Sequence, residues 1–145
     1  MDLNTCIIQL VTAFLGSLGF SLLFGMRYRH LVAAAMGGVV TWGIYLLVTA
    51  LLREGFLPCL AASAVAVVYA EVLARVRKTP ATLFVIPAIL PLVPGSSLYY
   101  AMACAVRGEL GDAKVYGSQT LQAALAIAAG ISIVIALRQL QTRRV

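Results

Sequence analysis

The sequence predicts an all-α integral membrane protein: a single transmembrane domain over residues 1–145, built as a bundle of about five helices, the fourth broken at a Pro/Gly-rich stretch. Three observations carry that prediction. Hydrophobic residues make up 62% of the chain and charged residues 11%, with a mean hydropathy of +0.99, whereas a soluble domain is nearer half apolar and a quarter charged. The apolar residues fall into runs about as long as the ~20 residues a helix needs to cross a bilayer. The fourth run holds Pro87, Pro91 and Pro94, followed at once by Gly95, and a continuous helix accommodates such a series only at the loss of backbone hydrogen bonds.

The first run covers residues 5–26. The N-terminus, "MDLNTCIIQL", has no basic region and no small-residue cleavage site follows, so the run reads as a retained span and not a signal peptide. The second covers 31–52, the third 56–73, the fourth 82–106 with its break near 91–95, and the fifth 118–137. Small residues recur four apart on these runs, which lets helices approach closely where lipid offers no hydrophobic drive to associate. The third run has Ala62, Ala66, Ala70 and Ala74 in one row; the second pairs Ala33 with Gly37 and Ala34 with Gly38; the fifth pairs Ala124 with Ala128 and Ala126 with Gly130. In the first, Gly16 and Gly19 share a face. These seams are expected to pack the bundle internally and to offer surfaces to another subunit. Trp42, Tyr45, Tyr69 and Tyr116 are expected as anchors at the membrane surface.

The loops set the orientation. Arg27 and Arg29 follow the first run, Arg53 beside Glu54 the second, and Arg75, Arg77 and Lys78 the third. Arg107 and Lys114, with Glu109 and Asp112 between them, follow the fourth, and Arg138, Arg143 and Arg144 the last. With the rich clusters in the cytoplasm, eight of the eleven basic residues lie inside, the N-terminus is periplasmic and the C-terminus cytoplasmic. This holds only if the fourth run crosses once. The net charge of +6 is thus a topology signal, and no nucleic-acid partner is expected. His30, in the basic loop, reads as a solvated residue.

Within the fourth run, "FVIPAILPLVPGSSLYY", each proline lacks an N–H and crowds the carbonyl four residues earlier. Leu83, Pro87 and Leu90 therefore lose their usual partners. Two half-helices are expected, the second starting near Gly95 with Ser96 or Ser97 as its N-cap. Broken backbone at membrane depth is tolerated beside protein or a wet cavity, and a helix start there suits a carboxylate. Pro91, Pro94, Gly95, Ser96, Ser97 and Tyr99 are accordingly the candidate substrate-binding residues, with Tyr100 beside them. The loosened carbonyls would suit a cation or ammonium. A continuous kinked helix is the other reading, because the prolines at i, i+4 and i+7 share one face. Glu71 has two readings as well: an ion pair with Arg75 one turn on, or a proton or cation coupling site facing a cavity.

Other classes of chemistry find little support. Cys6, Cys59 and Cys104 are scattered and read as small buried hydrophobes, with no metal site or cofactor expected. There is no H-E-x-x-H or G-x-S-x-G pattern, and Ser96 and Ser97 have no neighbouring base, so the chain is not expected to be an enzyme.

The run "AEVLARVRKTPATLFVIPAILPLVPGSSLY" resembles the threonine/serine exporter family of bacterial inner-membrane proteins, most closely the small subunit of its split two-component form, which is similar to the C-terminal half of the fused exporters. The resemblance rests on the basic loop, "KTPA" and "PLVPG". It implies export of threonine and serine or of short dicarboxylates such as succinate, driven by the proton gradient, by an assembly with a larger membrane subunit and a possible homo-oligomeric state. By that resemblance Pro91, Pro94 and Gly95 occupy the broken-helix motif and Glu71 precedes the basic loop. The competing function is a non-transporting membrane assembly or scaffold protein, for which the seams matter and the prolines do not.

Overall fold

The computed structural model describes residues 3–52 and 55–142. Arg53, Glu54, Arg143 and Arg144, counted above as loop and tail charges, lie outside the described residues. Among those described, every element is helical: α1 (Leu3–Leu23), α2 (Tyr28–Leu52), α3 (Phe56–Arg77), α4 (Thr82–Ile89), a 3-10 turn (Leu90–Leu92), α5 (Gly95–Val106) and α6 (Leu110–Thr142). Four helices are long and apolar enough to cross a membrane, and five if the bent pair is one span. This is the fold class the composition predicts.

The boundaries differ where capping and charge mislead. α1 stops at Leu23 because Gly25 takes a left-handed φ of 64° and the Met26 N–H folds back to the Ser21 carbonyl at 3.1 Å, a glycine-dependent stop. α2 already begins at Tyr28, so Arg29 and His30 belong to its first turn. His30 is not a solvated loop residue: it is half-buried, with its ring edge-on to Phe84 at 5.9 Å. α3 runs on through Arg75 and Arg77, cations suited to a helix C-terminus, and ends on Lys78 in the left-handed conformation. α6 starts eight residues before the expected fifth span, so Asp112 and Lys114 are helical and the preceding loop shrinks to residues 107–109. Its 33 residues rise about 50 Å, well beyond the hydrocarbon thickness.

Packing follows the small-residue rows. Ala62, Ala66, Ala70 and Ala74 of α3 are all buried, and so are Ala34 and Gly38 of α2. On α6 the two expected rows separate: Ala126 and Gly130 are buried against α3, while Ala124 and Ala128 face outward. On α1 the expected face is corrected. A Cβ on Gly16 or Gly19 would meet nothing within 4 Å, and the inward row is Ala13, Ser17 and Ser21. Tyr69, expected as a surface anchor, is half-buried between helices and donates its hydroxyl to the Ala33 carbonyl at 2.7 Å.

The direction of α6 settles the number of crossings. Cys59 and Ala62 of α3 cluster with Ala126 and Ile127 of α6, and Glu71 of α3 meets Arg138 of α6. Residue numbers rise together, so the two helices run parallel. A chain that leaves the end of α3 and returns parallel to it has crossed the bundle once in between. α4 and α5 are therefore one broken crossing and not a re-entrant hairpin. The same geometry gathers Arg27, Arg29, Arg75, Arg77, Lys78 and Arg138 at one end of the bundle, tied by Arg77 donating to the Arg29 carbonyl at 3.0 Å.

The α3–α6 seam generates a prediction. A Cβ on Gly130 would lie 2.6 Å from the Leu60 carbonyl oxygen, a backbone atom that cannot rotate away. Gly130→Ala is expected to cost about 1–3 kcal/mol and to lower the unfolding midpoint in detergent, with Gly16→Ala unchanged. Equal midpoints for the two variants would remove the close seam.

Candidate functional site

The broken crossing is built by its prolines in sequence. Pro87 sits inside α4 without ending it. Pro91 lies in the 3-10 turn, and Val93, held extended at φ −61° and ψ 122° ahead of Pro94, ends that turn, as a pre-proline residue is biased to do. Residues 82–92 and 95–106 then diverge by 53°. The crossing is broken, not smoothly kinked, and the break lies at Val93–Pro94.

The freed carbonyls are largely claimed. Pro91 deprives the Pro87 carbonyl of its helical partner, and the buried Ser17 hydroxyl of α1 donates to it at 2.9 Å. Pro94 does the same to Leu90, whose carbonyl accepts the Val93 N–H at 3.1 Å. These two oxygens are thus not the open cation ligands expected from the sequence. Neither serine caps α5 either: the cap position is Pro94, without a side-chain bond, and Ser97 donates to the Pro94 carbonyl at 3.2 Å.

The candidate substrate residues are therefore spread along the break. Pro91 borders a cavity; Pro94 and Ser97 are half-buried; Gly95, Ser96 and Tyr99 are exposed on this chain. Tyr99 packs edge-on to Tyr100 at 5.5 Å, and Tyr100 lies against Tyr116 at the same distance, so the aromatic cluster joins α5 to the first turns of α6.

The cavity at Pro91, about 220 Å³, is lined from α1 by Gln9, Thr12 and Ala13 and from α2 by Trp42. Gln9 Oε1 and Trp42 Nε1 are buried without hydrogen-bond partners, each at a cost of about 1–3 kcal/mol. Trp42 is half-buried and stacked on Tyr45 at 4.9 Å. Sequence reasoning missed Gln9; the signal was a polar amide inside an apolar run.

A second, larger space lies toward the basic end. α4 and α6 both pack on α3 but hardly on each other, and a groove of about 840 Å³ remains between them. Val67, Val85, Ile86, Ile131 and Ile135 make it apolar, while Glu71, Thr82, Arg138 and Gln139 supply its polar groups. The expected Glu71–Arg75 pair is replaced here: Arg138 Nη1 donates to Glu71 Oε1 at 2.8 Å across from α6. The Glu71 side chain is 13% exposed and that of Arg138 44%, so the pair borders the groove without being sealed from it.

The Ser17–Pro87 bond makes a checkable prediction. Ser17→Ala leaves a buried carbonyl unpaired and is expected to destabilise the protein by about 1–3 kcal/mol, read as a lower unfolding midpoint in detergent. Ser21→Ala is expected to cost less, because Ser21 bonds the Ser17 carbonyl one turn back within its own helix.

Comparison with known proteins adds one match. The model of a family described as "Threonine/Serine exporter, ThrE" matches residues 9–137. No curated protein and no solved structure matches.

Proposed function

Because the chain belongs to the threonine/serine exporter family, we propose that it is the small subunit of a bacterial inner-membrane transporter that exports small hydroxylated amino acids. The observation that carries this reading is the broken crossing. A 53° divergence at Val93–Pro94, beside a cavity that holds two unpartnered polar atoms, is a device that transporters use to build a mid-membrane site from irregular backbone. A scaffold has no use for it, since each interior proline costs a helix about 3 kcal/mol. Short dicarboxylates such as succinate are the other substrates this reading admits.

The orientation and the partner belong to the same proposal. With the end carrying Arg27, Arg29, Arg75, Arg77, Lys78 and Arg138 in the cytoplasm, the N-terminus is periplasmic and the C-terminus cytoplasmic. Five crossings are few to enclose a path and alternate its access, and the α4–α6 groove stands open on this chain. The outward faces of Gly16 on α1 and of Ala124 and Ala128 on α6 suit close contact with another membrane helix. A larger membrane subunit of the same family is the partner. Proton coupling is assigned to Glu71, whose carboxylate stands in a span at the edge of the groove.

Two tests follow. In cells loaded with threonine, replacing Pro91, Pro94 and Gly95 together by alanine is expected to abolish efflux while the protein remains in the membrane; undiminished efflux would take the broken crossing out of the transport path. Purification in mild detergent is expected to yield an intact complex whose mass exceeds any multiple of 15.4 kDa by that of a larger membrane chain. A mass accounted for by this chain alone would refute the partner.

A further inference from the structure

The α4–α6 groove carries chemistry that the broken crossing leaves unused. Its walls are mostly apolar, yet an ion pair at 2.8 Å borders it, between Glu71 of α3 and Arg138 of α6, two helices that are otherwise joined by close-packed small residues. An ion pair with one partner 44% exposed contributes only modestly to stability, and α3 and α6 already hold together through Ala62, Ala126 and Ile127. The pair is therefore poorly explained as a fastening. Glu71 is an ionisable side chain within a span, and such groups mark solute and proton paths.

A solute that carries both charges on neighbouring atoms can replace each half of the pair with the other. Its carboxylate takes two parallel hydrogen bonds from the guanidinium of Arg138, and its ammonium takes the place of that guanidinium at the Glu71 carboxylate. While the amino acid is bound both charges of the pair stay matched, so binding strands no unpaired ion. A dicarboxylate satisfies only Arg138 and is repelled by Glu71. We infer that the groove bordered by Glu71 and Arg138 is the cytoplasm-facing binding site for zwitterionic α-amino acids, with Glu71 holding the ammonium and Arg138 the carboxylate.

The inference rests on the exporter reading and narrows it to amino acids. It also joins substrate and proton at one atom group. A proton reaching Glu71 neutralises the carboxylate that holds the ammonium, so proton and substrate compete for the same side chain, as an antiporter requires.

The test is efflux of threonine from loaded cells that hold the complete transporter, with membrane content measured for each variant. Glu71→Gln and Arg138→Gln are each expected to cut efflux by about tenfold to a hundredfold, the loss of a hydrogen bond to a charged group. The exchanged pair, Glu71→Arg with Arg138→Glu, rebuilds an ion pair between α3 and α6 but inverts the charges a substrate meets. It is expected to restore membrane content and not efflux. Recovery of efflux by the exchanged pair would show that the residues only fasten the helices, and would overturn the inference.

Arg138→Lys guards against variants that fail to fold. It keeps the charge but not the planar fork, and is expected to raise the half-saturating internal threonine concentration about tenfold with the maximal rate retained. An unchanged half-saturation overturns the inference just as firmly. Failure of the exporter reading itself would look different, as wild-type cells whose threonine efflux does not depend on this chain at all.

Discussion

Main chain at membrane depth must find its hydrogen bonds within the protein, and this bundle is organised around one place where the helix cannot supply them. Pro91 takes away the partner of the Pro87 carbonyl, and Ser17 of α1 supplies a replacement at 2.9 Å. Unmet, that buried carbonyl would cost about 1–3 kcal/mol. The bond needs α1 to lie close to α4, which is why Ser17 is fully buried and faces Gly38 of α2, where no Cβ intervenes. A break that looks from the sequence like surrendered structure is therefore held in place from outside its own helix. What remains irregular is confined to Val93 and Pro94.

The same close approaches fix the rest of the architecture. Ala62, Ala66, Ala70 and Ala74 give α3 a smooth face, and Gly130 lets α6 lie against it. Because α3 and α6 run parallel, the intervening chain must cross, and the prolines fall in a segment with no option of turning back. Close seams on α3 also leave α4 and α6 side by side without meeting, and that gap is the groove. Small residues thus do two jobs with one geometry, holding helices together on one side and keeping a space open on the other.

Much of this was legible in the sequence, and the misses share a cause. The alanine row of α3 and the broken fourth span follow from spacing and from what proline lacks, both local properties. The inward face of α1 did not follow, because the reason to bury Ser17 rather than Gly16 sits 70 residues away in the Pro87 carbonyl. The partner of Glu71 is 67 residues away, so Arg75, one turn along the same helix, was the natural expectation and the wrong one. Asp112 and Lys114 read as loop by charge alone, but α5 packs on this part of α6 and the helix continues through them. Gln9 and Trp42 each looked unremarkable until folding set both beside Pro91.

α5 packs on α6, and α6 forms one wall of the groove that Arg138 borders. α6 is a single helix of 33 residues with no break in it, and an unbroken helix bends only gently. The break at Val93–Pro94 is therefore tied through α5 to a continuous rod whose far end carries Arg138. Of the three tyrosine rings, Tyr100 and Tyr116 meet between the two helices at 5.5 Å, while Tyr99 packs on Tyr100 within α5. The broken crossing and the charged groove, which share no residue, are in this way joined through one unbroken helix.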